Sequence, residues 1–129
     1  MNRWGIPKSL EKRIQHRDKK CVYCGVRFSK NVRSNKSKKA FSSWEHIVND
    51  ASIITYENIA LCCLACNASK GAKRLNEWLE SSYCKKRKIN KHTIALTAKK
   101  ALRKLVTGTF RVTVTKNIKL EHAKLYQSH

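Results

Sequence analysis

The apolar positions of this chain follow two rhythms. Ile6, Leu10 and Ile14 recur every fourth residue, and Pro7 suits a first helical turn, so residues 7–18 are predicted to form a short amphipathic helix with a basic outer face. That helix runs straight into Cys21-Val22-Tyr23-Cys24-Gly25. Residues 29–39 are rich in Ser, Asn and Lys and read as an exposed loop. Ala40 to Val48 (AFSSWEHIV) is aromatic and β-branched enough for a strand. Ile53 to Leu61, with a turn-like Glu57-Asn58 pair, predicts a second strand and hence a hairpin. Cys66 to Lys70 reads as a helix stopped by Gly71. Leu75, Trp78, Leu79 and Tyr83 share one face of another helix, which ends near the basic run Lys85 to Lys88. Ile94, Leu96, Ala98, Ala101 and Leu105 predict a helix over residues 92–106, stopped near Gly108. Phe110, Val112 and Val114 alternate with polar residues, as in a strand, and the tail after Lys119 gives no signal. There is no internal repeat. The elements add up to an α+β fold.

A length of 129 residues fits one compact domain, or a small domain with an extension. The expected division is a core over residues 1–84 and a basic arm over 85–129. At 41% hydrophobic residues, the chain is not composed like a disordered tail. No run reaches the roughly 18 apolar residues needed to cross a bilayer, and no apolar stretch follows Met1, so a cytoplasmic setting is expected. In that reducing compartment six cysteines read as metal ligands rather than disulfides.

Charge changes the picture more than length does. Twenty-nine Lys and Arg face eight Asp and Glu, a net +21 that would push a compact state apart without a polyanion. The excess is uneven: +5 over residues 1–26, +6 over 27–39, −2 over 40–84 and +12 over 85–129. Strongly basic flanks around a nearly neutral centre suit a nucleic-acid partner, because neutralised phosphates release counterions and supply most non-specific affinity. Only Lys70, Lys73 and Arg74 are basic in the centre, and the flank lysines are placed where they can hold phosphates.

Cys21-x-x-Cys24 and Cys63-x-x-Cys66 are two knuckles able to close a tetrahedral four-thiolate zinc site. Gly25 permits the tight turn after the first. Cys62 offers a competing register, four residues before Cys66, but the two-residue gap is the commoner knuckle, so Cys62 is expected to be an ordinary buried residue. Cys84 is expected on a helix as a small apolar residue. Four cysteine ligands leave a zinc ion no open position, so such a site ties the fold together, and any catalysis must come from elsewhere.

Between the knuckles stand Glu45-His46-Ile47 and Asn58, and Asn67 directly follows Cys66. With CVYCG at 21–25, EHI at 45–47 and ENIALCCLACNASKG at 57–71, the chain resembles the HNH endonucleases of the ββα-metal (His-Me finger) superfamily over roughly residues 8–84. The resemblance implies a ββα-metal core stapled by zinc. It implies His46 as general base toward water, Asn58 as the residue orienting the imidazole, and Glu45 and Asn67 as ligands of one catalytic magnesium or manganese ion. The side chains suit those parts: imidazole accepts a proton near neutral pH, and carboxylate and amide oxygens suit hard ions. Hydrolysis of DNA phosphodiesters leaving a 5′-phosphate is then expected. A monomer would nick; cutting both strands would need a homodimer or sequential nicks. The family usually has Asp where Glu45 stands, and a Pro where Val48-Asn49-Asp50 follows the motif. Asp50 is a candidate capping or supporting residue.

Phosphate contacts are expected from Lys70, Lys73 and Arg74 beside the site. Arg33, Lys36, Lys38 and Lys39 would add to them from the loop, and Lys85, Lys86, Arg87 and Lys88 from the start of the arm. Trp4, Trp44 and Trp78 are expected in the core, and His16, His92, His122 and His129 at the surface. The rival reading is a zinc-stapled nucleic-acid-binding module without catalysis. It explains the cysteines and the charge equally well, but not the joint spacing of Glu45, His46, Asn58 and Asn67.

Overall fold

A computed structural model describes residues 2–29 and 41–107. Arg33, Lys36, Lys38 and Lys39, most of the 29–39 loop, the Gly108 stop and the strand expected at 110–115 lie outside the described residues. The fold is α+β. Helix α1 (Lys8–Arg17) is followed by the first cysteine knuckle. Strands β1 (Ser42–His46) and β2 (Ile59–Cys63) form an antiparallel hairpin. Helices α2 (Leu64–Lys70), α3 (Leu75–Trp78), α4 (Ser82–Arg87) and α5 (Leu96–Thr107) complete the order. No helix among the described residues is long and apolar enough to cross a membrane.

The hairpin separates two apolar clusters. Strand pairing sets Trp44 opposite Leu61 and His46 opposite Ile59, and it sets Ser43 opposite Cys62 and Glu45 opposite Ala60. Paired residues share a sheet face, and successive residues alternate faces. Ile59 and Leu61 therefore face α1, where they pack with Ile6 and Ile14. Ala60 and Cys62 face the larger cluster, which includes Tyr23, Leu75, Trp78, Cys84, Ile89, Ile94 and Ala98. All five residues of β2 are buried. Trp78, fully buried at the centre of the larger cluster, is a side chain worth about 1.5–3 kcal/mol of burial or more.

Several boundaries differ from expectation for identifiable reasons. The second strand starts at Ile59 rather than Ile53, because residues 53–58 are spent on a turn: Ile53 N–H bonds Asp50 O (3.0 Å), and the N–H groups of Asn58 and Ile59 both bond Thr55 O (3.1 and 2.9 Å). The helix expected through Leu75 and Tyr83 is two helices. Ser81 breaks it, its side chain accepting from Cys84 N as the cap of α4. The last helix starts at Leu96, because Asn90 and Thr93 close a turn over residues 90–93. Gly71 caps α2 as expected, its N–H bonding Asn67 O. Cys62 and Cys84 are buried as expected. Packing is continuous across residue 84: Ile89, Ile94, Ala98 and Ala101 join the cluster of Cys21 and Trp78, and Ala95 N–H bonds Val22 O at 2.8 Å.

At the end of α1, Arg17 and Asp18 clamp the helix to β2. Both Asp18 oxygens accept from the Arg17 guanidinium (2.7 and 2.9 Å), and Oδ2 also accepts from Leu61 N (3.0 Å). Arg17 also donates to the carbonyls of Tyr56 and Ile59. Replacing Asp18 with Ala would leave a buried N–H and a half-buried guanidinium short of acceptors. Asp18→Ala should lose about 3 kcal/mol in denaturant unfolding, and Asp18→Asn less.

Candidate functional site

The first knuckle is built by a turn that returns the chain on itself. Cys21 N–H bonds Val26 O (2.9 Å), Gly25 N–H bonds Cys21 O (3.0 Å), and Gly25 adopts φ +77°, which a side chain would resist. The second knuckle is the entry to α2: Cys63 caps the helix, its sulfur accepting from Cys66 N at 3.4 Å. Cys21 Sγ accepts from the N–H groups of Tyr23 and Cys24, both at 3.4 Å. The four sulfurs of Cys21, Cys24, Cys63 and Cys66 lie within 4.8 Å of one another, and those of Cys24 and Cys63 are 3.7 Å apart. Two sulfurs each about 2.3 Å from one tetrahedral ion would be about 3.8 Å apart, so the cluster has the size zinc requires. Hydrogen bonds within the cluster lower the thiols of Cys21 and Cys63 and raise those of Cys24 and Cys66. Amide donors around the sulfurs favour thiolates, as a metal does. Cys62 Sγ stands beside Ser43 Oγ instead (3.7 Å), and burial pushes its thiol up.

Glu45 and Lys70 form a buried ion pair, Nζ to Oε2 at 3.0 Å. The Tyr23 hydroxyl donates to the same oxygen at 2.6 Å. Burial first, and then the adjoining carboxylate, push that hydroxyl well above its ordinary value, so it remains a donor. Lys70 is fully buried, so it does not reach the phosphate backbone as expected; the carboxylate on the facing strand holds it inside. The centre does contain a lysine, with its charge matched one for one. Tyr23 packs edge-on to Trp78 at 4.9 Å, which fixes the ring carrying that hydroxyl.

Asn67 joins α2 to β1. Its Nδ2 donates to Ser43 Oγ (2.8 Å) and Trp44 O (3.2 Å), and its amide oxygen accepts no hydrogen bond among the described residues. Glu45 Oε1 likewise has no hydrogen-bond partner there. One carboxylate oxygen and one amide oxygen are therefore left without a hydrogen-bond partner among the described residues.

His46, the last residue of β1, leaves the strand on the opposite face from Glu45. Its Nε2 is buried and has no hydrogen-bond partner among the described residues. Burial lowers its pKa below the usual 6.5, the Lys70 charge acts in the same direction, and Glu45 and Asp50 oppose them. These influences together favour the neutral ring. Asn58 does not orient the ring directly. Its amide is committed to backbone: Oδ1 accepts from Val48 N (2.8 Å), and Nδ2 donates to Val48 O and Ile53 O, both at 3.1 Å. With both amide hydrogens used, Asn58 fixes the backbone two residues beyond His46. Asp50 acts in the same loop, accepting from Ser52 N at 2.9 Å.

The described basic residues expected at phosphate, other than Lys70, are at least partly exposed: Lys73, Lys85, Lys86, Arg87 and Lys88 are exposed, and Arg74 is half-buried near Glu77. Sequence reading missed Tyr23 and Ser43 as partners of the site. Ser43 lies two residues before Glu45, so strand alternation could have found it, whereas Tyr23 gave no such signal. Trp4 was placed in the core and is 43% exposed instead, with its ring edge-on to His46 at 6.2 Å. Comparison of the chain with protein-family models, with curated proteins and with solved structures finds no match.

Purified protein should carry one zinc per chain. Cys24→Ser should lower the bound metal, measured by a colorimetric zinc assay after denaturation, and Cys62→Ser should not. Lys70→Ala, which strands Glu45 in the interior, should cost about 3–5 kcal/mol in unfolding experiments.

Proposed function

We propose that this chain is a zinc-stapled, metal-dependent endonuclease of the HNH type that hydrolyses DNA phosphodiester bonds. The observation that carries the reading is the imidazole of His46: buried at Nε2, without a hydrogen-bond partner among the described residues, its pKa lowered by burial, and at the end of a hairpin strand whose following loop is pinned by Asn58. Buried polar atoms are rarely left unpaired without a reason, and an imidazole nitrogen that accepts a proton once water is admitted to it would be such a reason. The four-cysteine cluster, the Glu45–Asn67 pair of free oxygens and the net +21 add to it.

In this reading His46 Nε2 removes a proton from water, and the hydroxide formed attacks phosphorus. The P–O3′ bond breaks, the 3′-oxygen takes up a proton from solvent, and a 5′-phosphate remains. Glu45 Oε1 and Asn67 Oδ1 would hold a magnesium or manganese ion, which would supply charge stabilisation at the phosphate; because Glu45 leaves β1 on the face opposite His46, ion and base would meet that phosphate beyond the strand end. Lys70 and Tyr23 hold the Glu45 carboxylate in one orientation. The exposed lysines and arginines hold the DNA backbone.

A second reading, a zinc-stapled nucleic-acid-binding module without catalysis, is favoured by the same Glu45, whose other oxygen is already neutralised by Lys70. The two readings part on one comparison. Zinc-loaded protein should cut supercoiled plasmid with magnesium or manganese and stop when those ions are withheld, and His46→Ala should abolish cutting while leaving DNA binding nearly unchanged. Native protein that binds but never cuts with either ion would leave the binding module standing. In both, about 6–10 phosphate contacts would make affinity fall about 10³–10⁵-fold between 50 and 200 mM salt, measured by fluorescence anisotropy.

A further inference from the structure

The N-terminal turn displays Trp4 in a way that packing does not require. Asn2 organises it: Oδ1 accepts from Trp4 N (2.9 Å) and Ile6 N (3.1 Å), and its backbone carbonyl accepts from Gly5 N (3.0 Å). Its Nδ2 donates to Glu11 Oε2 on α1 at 3.0 Å, which fastens the turn to that helix. Gly5 adopts φ +76°, and a Cβ there would stand 3.4 Å from Ile54 Cδ1, so the turn also sits close on the loop after β1. Two residues on, Ile6 is fully buried and anchors the segment in the α1 cluster. The backbone is therefore fixed on both sides of an indole that remains 43% exposed.

Two further groups define what that indole faces. The Arg3 guanidinium lies over the ring, 4.7 Å from its centroid. The edge-on contact puts the ring beside the imidazole of His46, 6.2 Å between centroids. A rigidly presented, exposed indole, backed by a guanidinium, on a chain of net +21, suits a flat aromatic ligand attached to an anion. A nucleobase with its phosphate is that ligand.

We propose that Trp4 is a stacking platform for an unpaired nucleobase of the bound DNA strand, with Arg3 holding the phosphate next to it. For its location at the cut, this rests on the nuclease reading of His46; the stacking itself does not require cleavage. Every base has a π-face, so the contact is tolerant of sequence. It favours single-stranded or locally opened DNA, in which a base can leave its stack.

The test uses full-length, zinc-loaded protein with no other divalent ion added. Binding of a short single-stranded oligodeoxynucleotide, and of the same oligonucleotide built from abasic residues, is measured at fixed salt for the native chain, Trp4→Ala and Trp4→Phe. Trp4→Ala should weaken binding of the base-bearing strand about 5- to 150-fold, and Trp4→Phe much less. Neither should change binding of the abasic strand. The base-bearing strand should quench tryptophan fluorescence of the native chain, and quench Trp4→Phe distinctly less. Trp4→Ala binding both strands as the native chain does, or losing both equally, would overturn the proposal. Should Trp4→Ala fail to fold, equal quenching of the native chain and Trp4→Phe would do the same. A chain that stacks bases but never cuts would leave the platform in place and remove only the nuclease reading.

Discussion

Everything in this fold depends on bringing four sulfurs from two distant stretches of chain within 4.8 Å of one another. Cys21 and Cys24 follow α1, while Cys63 and Cys66 end β2 and begin α2. Joining them closes the whole hairpin into a loop and lays the first knuckle against β2, where Val22 N–H bonds Leu61 O at 3.1 Å. A chain with an excess of 21 positive charges has a strong tendency to expand. A metal bound by four thiolates opposes that tendency locally, because binding free energy that needs the folded arrangement is folding free energy.

The same economy of charge shows at Glu45. Taking a lysine and a carboxylate out of water is expensive, and their mutual attraction offsets that only when geometry is good and remaining atoms are satisfied. Here the Tyr23 hydroxyl shares the oxygen that Lys70 approaches, and the aromatic run Tyr23–Trp78–Tyr83 holds the hydroxyl in place. Tyr83 in turn donates to Cys66 Sγ at 3.3 Å. The ion pair and the sulfur cluster are thus two ends of one packed aromatic row.

Much of this was legible in the sequence because it depends on short-range spacing. The first helix, the hairpin, the knuckles, the cap at Gly71 and the burial of Cys62 and Cys84 follow from local patterns. Long-range pairing was not legible. Lys70 looks like any lysine after a helix turn until β1 brings Glu45 opposite it. Asn58 fits a turn residue or an orienting amide equally well, and only its bonds to Val48 and Ile53 decide between them. Trp4 carries the composition of a core residue, and what exposes it is the fixed turn around Asn2. The second strand was placed early because Ile53 and Ile54 are β-branched, while the turn hydrogen bonds that claim them leave no mark in hydropathy.

Strand β2 has a consequence of its own. Because both its faces are apolar and buried, hydrophobicity alone does not say which residue should pair with which: a slip by one position exchanges one apolar face for the other. Discrimination falls to the polar and metal-seeking groups at its ends and edge. The Leu61 amide reaches for Asp18, and of two adjacent cysteines Cys63, not Cys62, turns toward the sulfur cluster. In a slipped hairpin, Cys62 would present the wrong spacing to Cys66. In the observed register it is Cys63 that meets the first knuckle, 3.7 Å from Cys24 Sγ.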